Sequence, residues 1–192
     1  FTLWGSGPSS AAYAYINRCF TRGEHTWVLS DGADKFKQNF KQGMLVVLFD
    51  AIILIFAVNA VHFYYTLYLN TSSTLWLALI VLISVVYTMM HPYIYQLMVT
   101  FDSSIWAIYK NALIITIAKL PMNVLLLVIG AVIIYGLFTI LNPLAATLVM
   151  LIAGLCITRY PAEFYAARVI ERSILRDMKE KQPEIEYIGE DE

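Results

Sequence analysis

The chain has 192 residues, of which 59% are hydrophobic and 14% charged, and its formal net charge is −1. Soluble domains average about 45–50% apolar and about 25% charged residues, so this composition excludes an ordinary soluble domain. The charge gives no general basic excess for nucleic-acid binding, and two cysteines, Cys19 and Cys156, provide neither a disulfide framework nor metal-ligand spacing.

The first residues, Phe1–Trp4, form an apolar stub that is followed by Gly5, Gly7 and Pro8. Glycine and proline are typical of the end of a helix. The stub therefore predicts the end of a membrane helix that begins before Phe1, which would be the first of five spans. The alternative is an ordinary loop that begins with two aromatic residues.

Two short helices are predicted before the first long apolar segment. Ser9 or Ser10 can cap a helix over residues 9–22, because a hydroxyl at the N-cap accepts from a free backbone N–H. A second helix over residues 31–43 has an apolar face and a lysine-rich face, and it leads into the first span with Gly43 as a possible bend. Both are predicted to be cytoplasmic or interfacial.

Long segments with very few charges dominate the rest of the chain. About 20 apolar residues in helical form cross a bilayer. The predicted transmembrane helices are residues 44–69, 75–100, 112–141 and 143–160, followed by an amphipathic cytoplasmic helix over 161–181 and an acidic tail over 182–192. The sequence thus predicts an all-α fold, a single polytopic membrane domain with four visible transmembrane helices.

Lysine and arginine mark alternate connectors between these spans. They occur before Met44, in the loop 101–111 and in the C-terminal tail, whereas the turns 70–74 and 141–143 are neutral. Positive loops face the cytoplasm. The sequence therefore predicts a multi-pass protein of the cell membrane with a cytoplasmic C-terminus.

Three polar residues, Asp50, His91 and Lys119, are candidates for an intramembrane polar layer. At about 1.5 Å per residue, each lies in the cytoplasmic half of its span. Ionisable groups in a span are costly and often functional. One reading is an ion-paired or proton-linked site between helices. The alternative is that Lys119 extends to the headgroups and that Asp50 pairs with it only to satisfy burial.

Pro121 is a candidate helix break. The segment "AKLPMN" places Lys119, Pro121 and Asn123 together, and a bent helix with polar groups can line a cavity, although such a proline can also serve packing alone. No soluble catalytic motif is visible. The sequence therefore predicts no enzyme activity, catalytic residue, cofactor or metal site.

Residues 5–43 carry four short motifs in a fixed order: Gly7-Pro8, Ala12-Tyr13, Arg22-Gly23-Glu24, and the run from Phe36 to Lys41. This order resembles the YesL family of bacterial membrane proteins, which begin with a membrane helix. The family has no established biochemical activity, and its members tend to accompany carbohydrate uptake systems that use ABC importers. The resemblance implies an accessory role and defines no site residues.

Two functions follow as expectations. The first is a non-enzymatic accessory subunit of a bacterial carbohydrate ABC import system, whose partners are the lipid bilayer and the permease and ATPase subunits. The alternative is a small stand-alone transporter or channel that uses the polar layer.

Overall fold

The computed structural model describes residues 3–71, 74–149 and 155–175. Their helices are α1 (Leu3–Arg22), α2 (Val28–Gln38), α3 (Phe40–Thr71), α4 (Leu75–Thr100), α5 (Ile105–Ala118), α6 (Leu120–Ile140), α7 (Pro143–Val149) and α8 (Leu155–Ile170), and a π-helical turn covers Glu171–Leu175. The described residues contain no strand. The predicted all-α fold is confirmed.

Among the described residues, three helices are long and apolar enough to cross a membrane: Phe40–Leu69 of α3, all of α4, and α6. The predicted span 112–141 is therefore divided between the end of α5 and α6. The predicted fourth span, 143–160, falls on α7 and the start of α8, and residues 150–154 between them lie outside the described residues. The count of four spans stays a prediction.

The N-terminal helix runs through the segment where a helix end was predicted. α1 is continuous from Leu3 to Arg22 with Pro8 inside it, so the predicted stop at Gly5–Pro8 and the predicted cap at Ser9 or Ser10 are wrong. Pro8 lies close to the start of α1, where its missing N–H removes only one helical hydrogen bond. The C-terminal end of α1, at Arg22, agrees with the predicted range 9–22, and Gly23 follows it with φ 72°.

Gly7 and Gly43 form the crossing point of α1 and α3. A Cβ added to Gly7 would lie 2.1 Å from the carbonyl oxygen of Gly43, and one added to Gly43 would lie 2.7 Å from the backbone nitrogen of Pro8. Small residues allow two helix backbones to approach this closely. Gly43 lies within α3 and is not the predicted bend, because the break between α2 and α3 falls at Asn39.

The buried core lies at one end of the bundle. It is formed by α1, the second half of α4, α5 and α8, and includes Ala11, Tyr93, Ile94, Ile108 and Ala166. We call this the α1 end; it also contains α2 and the loop 101–104. Towards the other end the apolar side chains of the spans are exposed, as a lipid-facing surface would be.

The C-terminal part of the described chain, α8, packs into this core. α8 passes through Pro161 without interruption, so the predicted boundary between a span and an amphipathic helix at residues 160–161 is not a helix end. Ala166 and Ile170 are buried in the core cluster. The predicted helix over 161–181 is described only as far as residue 175, and the acidic tail over 182–192 lies outside the described residues.

A break separates α5 from α6 at Lys119, two residues before Pro121. Lys119 has φ −109° and ψ 23°, and Pro121 occupies the first turn of α6, where a missing N–H costs little. The buried Asn123 spans the break. Its Nδ2 donates to the carbonyl oxygen of Thr116 at 3.0 Å, and its Oδ1 accepts from the hydroxyl of Tyr93 at 2.7 Å.

We expect Asn123→Leu to lower the free energy of unfolding by about 2 kcal/mol, because it leaves two buried groups without a partner. Thermal unfolding in detergent measures the loss. Asn59→Leu is the matched control, since the amide of Asn59 is exposed and bonds only to Ile55 of its own helix. Equal melting temperatures for the two variants would contradict this account of the break.

Candidate polar site between helices

The carboxylate of Asp50, on α3, is contacted from two other helices. Its Oδ1 accepts from the hydroxyl of Tyr87 and, at 3.4 Å, from the hydroxyl of Tyr109 on α5. Its Oδ2 lies 3.2 Å from Nε2 of His91 on α4. We call these four residues the Asp50 cluster. It places a carboxylate, an imidazole and two phenols between three helices, with Asp50 and His91 each about one quarter exposed.

Helix periodicity explains how α4 supplies this cluster. Tyr87, His91 and Tyr95 are four residues apart, so their rings lie on one helix face. The rings of Tyr87 and His91 meet edge to face at 5.0 Å, and those of His91 and Tyr95 are 6.4 Å apart. Nδ1 of His91 also lies 3.2 Å from the carbonyl oxygen of Tyr87. Both ring nitrogens thus face oxygen acceptors, and only the doubly protonated imidazolium donates to both.

A second polar group lies around Glu163 of α8. Arg159 donates to Oε1 of Glu163 at 3.0 Å and to the hydroxyl of Ser10 at 3.0 Å. Gln96 donates to Oε2 of Glu163 at 3.4 Å and to the carbonyl oxygen of Ala14 at 2.9 Å. We call Ser10, Gln96, Arg159 and Glu163 the Glu163 cluster. It joins α1, α4 and α8 through these hydrogen bonds, and Oε1 of Gln96 is buried with no hydrogen-bond partner within the described residues.

Tyr95 connects the two clusters. Its ring contacts that of His91, and the guanidinium carbon of Arg159 lies 5.8 Å from its centroid. A cation over an aromatic face is attracted by the ring quadrupole. The structure therefore places one continuous series of polar and aromatic side chains from Asp50 to Glu163, across α3, α4 and α8 at the α1 end.

Glu163 is fully buried and lies beyond the predicted span 143–160. Burial raises its pKa to about 7, against the opposing effects of Arg159 and Gln96. A carboxyl with such a pKa gains and loses its proton close to neutral pH. Glu163 was not singled out in the sequence, although its spacing of four residues from Arg159 is that of a helical ion pair.

The structure brings Asp50 and His91 together and leaves Lys119 outside their cluster. None of the ion pairs within the described residues includes Lys119. Lys119 follows the last residue of α5 and lies ten residues, or about 15 Å along the helix axis, beyond Tyr109. Tyr109, from the first half of α5, contacts Asp50 instead. The spacing of four residues between Tyr87 and His91 is a sign in the sequence that Tyr87 belongs to this site, and no such sign points to Tyr109.

A double-mutant cycle tests this pairing. We expect the losses of stability caused by Asp50→Asn and His91→Gln to be non-additive, with a coupling free energy of about 1 kcal/mol. Residues in contact share interactions that either substitution removes. Asp50→Asn and Lys119→Met should be additive. Melting temperatures in detergent provide both cycles. Coupling of Asp50 to Lys119 but not to His91 would restore the pair suggested by depth alone.

No known family model matches this chain, and no curated protein or solved structure is detectably similar to it. The resemblance of residues 5–43 to the YesL family therefore stays a prediction. Within the described residues, no group of three His, Cys, Asp or Glu side chains could hold a metal ion.

Proposed function

We propose that this chain is a small membrane transporter or channel in which the Asp50 cluster exchanges a proton. The α1 end faces the cytoplasm of the cell in this proposal, in line with the distribution of lysine and arginine. The observation that carries it is the contact of one carboxylate with His91, Tyr87 and Tyr109 from two neighbouring helices.

The chemistry of the cluster supports a proton-linked role. Ionisable residues in a membrane segment are costly, and where they pair with one another between helices they commonly mark ion or proton pathways. Histidine is the side chain whose charge changes most readily near neutral pH. Tyrosine hydroxyls donate and accept hydrogen bonds, so Tyr87 and Tyr109 can follow a change in the charge of Asp50 without moving away.

Purified full-length chain in proteoliposomes tests the proposal. A pH-sensitive dye inside the vesicles reports proton movement after a pH step, and the assay is repeated with sugars and with monovalent cations as solutes. We expect wild-type vesicles to change internal pH faster than empty ones. Asp50→Asn and His91→Gln should lose most of this rate.

The chain offers matched controls for both substitutions. Asp34→Asn makes the same change on the exposed part of α2, and His62→Gln makes the same change at an exposed position of α3. Both controls should retain the wild-type rate. The absence of any flux, or equal loss in the controls and the cluster variants, would contradict the proposal.

A second candidate, a non-enzymatic accessory subunit of a carbohydrate ABC importer, is favoured by the surface of α2. This helix has no buried residue in the described chain, and the side chains at its start, Trp27 and Leu29, are 71% and 89% exposed. Exposed large apolar side chains next to charged ones are common at protein interfaces. The YesL resemblance, which falls on the same region, points to permease and ATPase subunits as the partners.

Gentle detergent extraction of a tagged copy from its native host, followed by mass spectrometry, tests the accessory role. We expect sugar-permease and ATPase subunits to be recovered with the wild-type chain. They should be lost when Trp27 and Leu29 are changed to serine, while the Asp34→Asn control retains them. Recovery of the chain without either subunit would contradict this second candidate.

A further inference from the structure

A cleft of about 440 Å³ opens at the α1 end, between α1, α2, the first turn of α3 and the last turn of α4. Its lining includes four basic side chains and two acidic ones: Arg18, Arg22, Lys35 and Lys41, with Glu24 and Asp102. It shares no lining residue with the Asp50 or Glu163 cluster. The cleft is therefore a separate feature, and its role goes beyond the proposed function.

The basic residues of the cleft differ in how far their charges are compensated. Arg22 is paired with Glu171 at 2.9 Å and with Glu24 at 3.3 Å. Arg18 donates to the carbonyl oxygen of Val99 at 3.0 Å. The ion pairs among the described residues include neither Arg18, Lys35 nor Lys41. Three cations thus line one cleft without a carboxylate partner in the described chain.

Arg18 and Lys35 are also held in place. The Nζ of Lys35 lies 4.7 Å from the ring centroid of Tyr15 and 3.0 Å from Oε1 of Gln38. Arg18 is half-buried on α1, and burial, followed by the neighbouring charge of Arg22, lowers its pKa. Glu171 and Glu24 oppose this lowering of the Arg18 pKa, but neither forms an ion pair with Arg18. A partly buried cation whose charge is only partly compensated is costly. An anion in the cleft would relieve that cost with little rearrangement of the side chains.

We propose that this cleft binds a phosphate group. Arginine and lysine are the residues that bind phosphate oxygens, through charge-assisted hydrogen bonds. The cleft also lies where two spans begin and end, because Lys41 belongs to the first turn of α3 and Thr100 is the last residue of α4. That is the level of lipid headgroups. The phosphate can therefore come from an anionic phospholipid or from a soluble phosphate ester.

Binding to the delipidated full-length chain in neutral detergent tests the proposal. Two probes separate the sources: dioleoylphosphatidylglycerol added to the micelles, and soluble glycerol 3-phosphate. Dioleoylglycerol, which lacks the phosphate, is the control ligand. We expect phosphatidylglycerol, alone or together with glycerol 3-phosphate, to raise the melting temperature of the protein, since a ligand that binds only the folded state stabilises it. Stabilisation by the lipid alone assigns a headgroup, and stabilisation by both probes assigns the phosphate group itself.

Three substitutions localise the binding. Arg18→Gln should raise the Kd about tenfold, the equivalent of one charge-assisted hydrogen bond. Lys35→Gln and Lys41→Gln should each raise the Kd severalfold. The side chain of Lys41 is exposed and belongs to none of the ion pairs of the described residues, so its substitution breaks no such pair. Lys37→Gln is the matched control, because Lys37 lies on α2 with its side chain 76% exposed and outside the cleft.

Two outcomes would overturn the assignment. One is that neither phosphatidylglycerol nor glycerol 3-phosphate stabilises the folded chain more than dioleoylglycerol does. The other is that Lys37→Gln weakens binding as much as Lys35→Gln and Lys41→Gln do, which would make the effect one of overall surface charge. If Arg18→Gln fails to fold, the comparison of Lys41→Gln with Lys37→Gln decides the question alone.

Discussion

Gly7→Ala is expected to lower the free energy of unfolding by about 3 kcal/mol, the upper part of the range for an overpacked site. The new Cβ would lie 2.1 Å from the carbonyl oxygen of Gly43 and 2.7 Å from Cγ2 of Val47. The first contact is with backbone, which cannot rotate away as a side chain can. α1 and α3 must therefore separate, and the core that α1 forms with α4 and α8 separates with them.

Two other glycines provide controls for this substitution. Gly32 on α2 and Gly130 on α6 have no atom within 4 Å of an added Cβ. Alanine is favoured over glycine in a helix by about 1 kcal/mol, so both control variants should be as stable as the wild type or more stable. Unfolding in detergent, followed by circular dichroism, measures all three. A Gly7→Ala variant as stable as the controls would show that α1 does not cross α3 at Gly43.

The fold could be predicted from the sequence where it depends on composition and length. Long segments with very few charges predict α3, α4 and α6, because a helix that spans a bilayer needs a continuous apolar stretch. The full length of the N-terminal helix α1 could not be predicted, because glycine and proline are typical both of a helix end and of a point where two helices cross closely. Only the position of Gly43 in space distinguishes the two, and Gly7 gives no local sign of that contact.

The polar site was predictable only in part, for a similar reason. Depth in the membrane placed Asp50 and His91 in one layer, since depth follows from residue number along a straight helix. The same rule misplaced Lys119, because α5 begins at Ile105 and not at residue 112, where the span was predicted to begin. Lys119 therefore lies further along its helix than Tyr109, which contacts Asp50. Rotation about each helix axis decides which side chain reaches Asp50. That rotation depends on packing between helices, so Tyr109 could not be predicted.

Glu163 and Arg159 lead to the second large expected effect, which depends on pH. Glu163 has a folded-state pKa of about 7, above its ordinary value of 4.5. Between these two values the folded state holds a proton that the unfolded state has released. The contribution of Glu163 to stability therefore decreases as pH rises from about 4.5 to about 7, and it is constant above that. Glu163→Gln should remove this part of the pH dependence.

Arg159→Met should destabilise the protein by about 3 kcal/mol at pH 8, because it leaves the fully buried carboxylate of Glu163 without its charge partner or forces its protonation. At pH 5 the loss should be smaller, since Glu163 is then neutral in the folded state. Without Arg159, which lowers the pKa of Glu163, the decrease in stability should also continue above pH 7. The double variant Arg159→Met with Glu163→Gln should recover part of the loss at pH 8.

Melting temperatures of the four proteins at pH 5, 6, 7 and 8 measure these differences. Arg168→Met is the matched control: Arg168 is an exposed arginine of the same helix, with its guanidinium over the ring of Phe164 at 4.8 Å. The loss of stability in this control variant should be small and independent of pH. If Arg159→Met lowers the melting temperature as much at pH 5 as at pH 8, then Glu163 does not change its protonation in the folded protein. The Glu163 cluster would then be a fixed network of hydrogen bonds.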